Sequence, residues 1–512
     1  MFVMDNMDRT LRCLLAAGDA APHPRAAAAG SAPLLFHPEK QARWKKVEPL
    51  ARSFLGNSVH LLTQLQDPGV TAYVLRSLSP AAPFAVPFPR LSKKLLRAAL
   101  ARFGDGSPAV RLAAVQLLRA LAFVSPPEGL DACFRGAYRT FAANAKFSGT
   151  GQLETVAFMA AGVTELLALD TTAAYPLAFS AIRQLALLLR AALSAKSKDA
   201  YRAVYCWQTT HCLELWARVL SAHAVDPAAP LRPLVYPLVQ VVSGAARLLP
   251  TARHAPLRLR LLCLLQRLGC ALDVYIPVAS QALELLFFAE LSRPPLVRAG
   301  GASGDYTALL RVPKAELRSP AFQAFVVDSA LDLVAQSLAQ WAYHPALPEL
   351  AHLPVRELRR FAASTPAPKF HRAAAALADA VARNAEWISR RRDAAEFAPK
   401  DCAPGAPALA GFLGAERQRN EAPLAPVVAA RQAAARQRAA AAHATDVRVA
   451  DVGHRSANDH SDDGAATASL LKQGKRDKQR ARLADTVPVD RQTDGEDFIH
   501  AFALSDEDED YC

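Results

Sequence analysis

From residue 146 to residue 277 the chain is a nearly unbroken series of helix-length segments, each apolar on one face and closed by proline, glycine or aspartate. They read KFSGTGQLETVAFMAAGVTELLALD, AYPLAFSAIRQLALLLRAAL, YRAVYCWQTTHCLELWARVLS and LRPLVYPLVQVVSGAARLLPTARHAPLRLRLLCLLQRL. Apolar residues recurring every three to four positions share a face only on a helix, which turns once in about 3.6 residues. A train of such stripes, each needing a neighbour to cover it, predicts an all-α fold. The 512 residues exceed the roughly 250–300 over which one core keeps growing. The chain therefore divides into domains or extends as a solenoid, in which each layer touches only its neighbours.

The same period runs outside this stretch. Val47, Leu50, Phe54, Leu55, Val59, Leu61, Leu62 and Leu65 mark a helix that ends at Asp67-Pro68, and a second helix follows and stops at Pro80. In GDGSPAVRLAAVQLLRALAFV, Asp105 and Ser107 precede Pro108, and Val110, Arg111, Ala114, Leu117, Leu118 and Leu121 follow. Polar groups at the cap and proline in the first turn suit a helix start. The D-x-x-P-x-V-R-x-x-A-x-x-x-L wording resembles a HEAT repeat helix. Helices closed at intervals of tens of residues without a strict period predict a degenerate HEAT/armadillo-like α-solenoid. Its expected extent is 41–402, with a flexible insertion near 293–305 (RPPLVRAGGASGD). An Ala/Pro-rich lead over 1–40, with at most a short helix at its start, and a polar tail over 403–512 are expected to be disordered.

Lysine and arginine total 60 against 47 acids, a formal charge of +13, which suits a polyanionic partner such as RNA. The tail carries Lys472, Lys475, Arg476, Lys478, Arg480 and Arg482, a candidate nuclear-localisation signal or RNA contact. It ends SDEDEDYC, with an acidic run at 505–510 whose Ser505 is a candidate phosphosite for an acid-directed kinase. Arg253, Arg258, Arg260 and Arg267 are a candidate basic helical face beside Leu261, Leu264, Leu265 and Leu268. A plain solvent face is the more frequent account of such arginines.

None of the eight cysteines forms a C-x-x-C pair, and Cys263 and Cys270, two turns apart, are about 10 Å from each other on a helix, too far to bridge. Both read as small buried hydrophobes in a reducing compartment. Arg183, Arg190, Gln240 and Arg247 interrupt the most apolar runs, and Asp5 and Asp8 precede the first apolar stretch, the wrong order for a signal peptide. A soluble intracellular protein without a membrane partner is expected. No phosphate-binding glycine loop, nucleophile elbow or H-E-x-x-H motif occurs. His211 and Cys212, adjacent in sequence, diverge by about 100° on a helix. Tyr205, Cys212 and Trp216 fall on one stripe and read as core. No enzyme, cofactor, metal or small-molecule substrate is expected.

Six blocks are similar to the nucleolar complex protein 2 family: WKKVEPLARSFLGNSVHLL (44–62), KFSGTGQLETVAFMAAGVTELLALD (146–170), AYPLAFSAIRQLALLLRAAL (174–193), YRAVYCWQTTHCLELWARVLS (201–221), LVYPLVQVVSGAARLLPTARHAPLRLRLL (234–262) and FAPKD (397–401). The resemblance implies a scaffold of the nucleus, nucleolus and nucleoplasm, active in assembly of the large (60S) ribosomal subunit. Its implied partners are sister nucleolar complex proteins and pre-60S particles, and its implied roles are pre-rRNA maturation and intranuclear transport; the basic faces and the basic cluster at 472–482 make a direct rRNA contact a further candidate. Members also carry a long charged segment before the WKKV block, where this sequence has a short alanine-rich lead; a truncated gene model or a lineage loss would explain that. Two other readings remain: a chromatin co-repressor that binds histones or acetyltransferases, and a karyopherin-like transport adaptor.

Overall fold

Helix starts in this chain are set by short polar side chains that accept otherwise orphaned backbone N–H groups. Asp67 Oδ1 accepts from Val70 N at 2.7 Å, and Asp170 Oδ1 from Thr172 N and Ala173 N at 2.9 and 3.0 Å. Ser197 and Ser319 cap in the same way, at 3.2 and 3.1 Å. Asp67 and Asp170, read in the sequence as stops, thus begin the next helix.

The structure, a computed structural model, describes residues 2–16, 36–124, 128–146, 150–296, 306–394 and 412–458. Among these residues the fold is all-α, with no strand. Backbone contacts divide them into two units.

The first unit holds the described residues up to Leu249, together with Cys263–Ile276. Its helices are α1 (Phe2–Ala16), α2 (Trp44–Gln64), α3 (Pro68–Leu78), α4 (Pro89–Asp105), α5 (Pro108–Val124), α6 (Glu128–Asn144), α7 (Thr150–Leu167), α8 (Thr171–Ala195), α9 (Lys198–Val204), α10 (Trp207–His223) and α11 (Val235–Arg247). Contacts run between helices close in sequence: α4 with α5 and α6, α6 with α7 and α8, α8 with α10 and α11. The core is apolar side chains at helical spacing, such as Leu117, Leu118 and Leu121 on α5 and Phe134, Tyr138 and Phe141 on α6. Val47, Phe54, Leu55 and Leu62 of the first expected helix are buried, whereas Leu50 and Leu61 are exposed.

By length and composition, α8 is the one helix among the described residues apolar enough to cross a bilayer. Its Leu177, Ala178, Ala181, Ile182, Leu185 and Leu189 are instead buried. The helix contacts α6, α10 and α11, and the absent side chain of Gly244 leaves room for Leu189.

The second unit holds Pro250–Leu262 and the described residues from Pro277. Helix α12 (Ala255–Leu272) is divided between the two units. There follow α13 (Val278–Leu286), α14 (Pro320–Gln340), α15 (Leu347–Ser364), α16 (Pro368–Asp393), α17 (Gly414–Arg419) and α18 (Ala425–Asn458). The α15–α16 hairpin and the α13–α14 pair are its most closely packed partners, and α14 also meets α15, α16 and α18. Asn384 of α16, fully buried, donates to Ala342 O at 2.9 Å and accepts from Leu424 N at 3.4 Å, pinning the chain that leads into α18.

The short helix allowed for at the start of the lead is present, and the tail expected to be disordered carries helices as well. In the lead, α1 buries Leu11 and Leu15 against α2 and α3, and Arg12 donates to Pro80 O at 3.2 Å and lies over the rings of Phe36 and Phe84. In the tail, α17 and α18 follow position 403, because α18 is held by arginines rather than by an apolar face of its own. Of the expected insertion, residues 293–296 are tied down, with Leu296 N donating to Arg318 O at 2.8 Å; residues 297–305 lie outside the described residues.

Candidate functional site

The arginines of the candidate basic face do not share one environment. Arg258 is buried, ion-paired with Glu284 and donating to Gln281 O at 3.4 Å. Arg253 donates to Val312 O at 3.3 Å and Arg260 to Thr307 O at 3.0 Å. Arg267 is exposed. The first three are tied into their own unit, so of the four expected arginines only Arg267 stands exposed, which corrects the expected face. Periodicity alone cannot separate a solvated arginine from one that finds a carboxylate on a helix distant in sequence. The candidates Lys472, Lys475, Arg476, Lys478, Arg480, Arg482 and Ser505 lie outside the described residues.

Burial and two neighbouring cations, Arg311 and Arg253, push His254 from 6.5 down to about 4. Its Nδ1 lies 2.9 Å from Thr251 Oγ1. A depressed histidine binds protons more weakly folded than unfolded, so its contribution is full above pH 6.5 and is lost as pH falls through about 4. We expect the second unit to lose roughly 1–3 kcal/mol over this range, allowing for solvent screening at a partly exposed ring. Thermal unfolding at stepped pH checks this: His254→Gln should flatten the profile, and an unchanged profile would remove His254 as its cause.

The buried polar cluster of the first unit has no exposed nucleophile. Burial raises the thiols of Cys133 and Cys212 to about 12 and the Tyr138 hydroxyl well above its ordinary value. His211 stacks on Trp207 and its Nδ1 lies 3.1 Å from Glu214 Oε2, so it sits within the packing, apart from Cys212. Cys212 and Trp216 are core residues, while Tyr205 lies beyond the end of α9 and its hydroxyl donates to Ala245 O at 2.9 Å. Cys263 is half-buried and Cys270 exposed, which corrects the reading of both as buried hydrophobes. Among the described residues no cluster of histidine, cysteine or acid is arranged to hold a metal ion.

Two grooves open on the described surfaces. In the first unit, Val3, Met4 and Met7 of α1 face Leu50, Phe54 and Leu61 of α2 across about 570 Å³ of mainly apolar space. In the second, α15 and α16 enclose about 440 Å³ over a floor that includes Ala351 and Ala382, rimmed by His352, Arg356, Arg359 and Glu386. From 347 to 393 the hairpin carries nine lysines and arginines against five acids. Arg356 and Arg360 share Glu357, and Arg359 lies 3.7 Å from Asp379, yet all three arginines are 60% exposed or more. Shared acids leave guanidinium donors available to an anion, and the small floor residues let a backbone approach. The sequence reading missed this groove, because the arginines of α15 gain meaning only when α16 lies alongside.

A family model described as the Noc2p family matches residues 128–430, more than half of the chain. The chain is 37% identical over 381 residues to "Nucleolar complex-associated protein 2" of Arabidopsis thaliana, covering 74% of this chain and 49% of that protein. It is 27% identical over 428 residues to "Protein REBELOTE" of the same plant, covering 83% and 68%. To "Nucleolar complex protein 2" of Drosophila melanogaster it is 29% identical over 353 residues, covering 69% and 46%. The chain thus spans about half the length of two of these relatives and about two thirds of the other. The matched region runs from α6 to the start of α18 and takes in five of the six blocks on which the resemblance was read, and by that match the chain belongs to the Noc2p family.

Proposed function

We propose that this chain is a non-enzymatic nucleolar scaffold in assembly of the large ribosomal subunit. It pairs with sister nucleolar complex proteins on pre-60S particles and supports pre-rRNA maturation and intranuclear transport. The observation that carries this reading is the family match over 128–430, with relatives named as nucleolar complex proteins. The exposed helical faces and the charge of +13 support it, since helix faces offer surfaces for protein partners and cations attract phosphate.

Within that reading the α15–α16 groove is the rRNA contact. A tagged copy should co-sediment with large-subunit precursors, and its depletion should make precursor rRNA accumulate; unchanged precursor levels would sink the reading. The variant Arg356→Glu/Arg359→Glu should bind single-stranded rRNA fragments more weakly. Loss of two phosphate contacts makes the log–log salt dependence shallower by about 1.4. An identical slope would take RNA binding away from this groove.

A further inference from the structure

The outward face of α8 is unlike any ordinary solvent face. The helix has 25 residues and no acid. Phe179, Leu187 and Leu193 are each about half exposed, and Tyr175 stacks on Phe179 with ring centroids 6.2 Å apart and planes 14° apart. Arg183 and Arg190 are exposed between them and have no ion pair or hydrogen bond among the described residues. At about 100° per residue, Phe179, Arg183, Leu187, Arg190 and Leu193 fall within an arc of roughly 120°, and they extend for about 21 Å along the helix. Aromatic and arginine side chains, the residues enriched in protein-binding patches, here share one stripe with exposed leucines. With no acid on the helix itself, its charge is complemented by an acidic partner.

We propose that this face is a docking surface for an acidic segment bearing aromatic and aliphatic side chains, and that residues 494–510 of the same chain are its occupant. That stretch reads DGEDFIHAFALSDEDED and lies outside the described residues. It places Phe498, Ile499, Phe502 and Leu504 between eight acids and contains no lysine or arginine. The chemistry of α8 is thus met on both counts, apolar against apolar and acid against unpaired arginine. Between Asn458, the end of α18, and the segment lie 35 residues, a length that spans up to roughly 115 Å when extended. A phosphate on Ser505 would add negative charge to the segment and strengthen its attraction to Arg183 and Arg190. The inference goes beyond the ribosome-assembly reading and does not depend on it.

The test is photo-crosslinking in the full chain, with benzoylphenylalanine at position 187. The expected product joins position 187 to the peptide containing Phe498–Leu504 within one copy, as judged by mixing isotopically light and heavy protein. Its yield should fall about fivefold or more from about 0.1 M to about 1 M salt, as the Debye length drops from roughly 10 to 3 Å. The variant Arg183→Glu/Arg190→Glu, checked for unchanged thermal unfolding, should lose the product. Excess synthetic peptide 494–510 should compete it away with both arginines in place, which keeps the test decisive if that variant misfolds. A product confined to other segments, one formed between copies, or one indifferent to salt and to the competing peptide would overturn the proposal. So would protection of position 187 by phosphatidylglycerol vesicles in place of the segment.

Discussion

Trp216→Ala should destabilise the first unit by about 3–5 kcal/mol, the range for emptying a large aromatic site in a packed core. Trp216 lies on α10 with no solvent exposure, and its ring centroid is 5.3 Å from that of Tyr138 on α6. Neighbouring Cys212 and Leu213 are equally buried, as are Phe134 and Phe141 on the facing helix, so few side chains are free to collapse into the void. A helical unit of this size loses roughly 6–20 °C in Tm for such a change. Trp216→Phe, which keeps most of the apolar volume, should lose much less. A loss below about 1 kcal/mol for the alanine variant would mean that the site relaxes and that α6 and α10 are not held through this contact.

Asp332→Ala should release the C-terminal helix α18 from α14 while leaving the first unit intact. Asp332 and Asp328 stand one turn apart on α14, with side chains 11% and 9% exposed. Asp332 is ion-paired with Arg431, whose Nε lies 2.8 Å from its Oδ1, and accepts a hydrogen bond from Arg438, while Asp328 receives Lys369 Nζ at 3.2 Å. Removing Asp332 leaves the mostly buried Arg431 without its carboxylate, which costs about 3–5 kcal/mol. Trypsin should then cut at Arg431, Arg436 and Arg438 roughly a hundredfold faster or more.

Burial pushes the Asp332 carboxyl above the usual carboxylate range, and Arg431 and then Arg438 only partly pull it back. A folded value above the unfolded one makes this group's contribution fullest in acid and smaller as pH rises through the folded value. Mild acid should therefore not free α18 through Asp332. The neutral Asp332→Asn should also cost less than the alanine change, because it keeps hydrogen-bond acceptance without a buried charge. Equal protease resistance in wild type and Asp332→Ala would show that the apolar contacts of Leu424 and Val428 hold the helix alone.

Much of the helical series was legible in the chain. The stripes of α5, α6 and α10 repeat at helical spacing, and Asp67, Asp170 and Pro108 punctuate them where backbone groups need a cap or a missing donor costs nothing. The candidate sites were less legible. Arg258 and Arg267 look alike in sequence, yet one meets Glu284 and the other meets solvent. Leu50 and Leu61 keep helical phase with the core of α2 but line the groove beside α1.

The α18 helix shows the division most plainly. Between 425 and 441 its alanines and arginines form no apolar stripe wide enough to announce a partner, and what orders it is a pair of acids about a hundred residues earlier on α14. The sequence by itself determined that this chain is a set of amphipathic helices with capped ends, because helix period and capping are local physics. Only the tertiary structure decided which arginines are spent inside, which remain for a partner, and where α15 and α16 close a groove. Those outcomes depend on long-range pairs of charge and shape, and no spacing along one segment records what will lie opposite it.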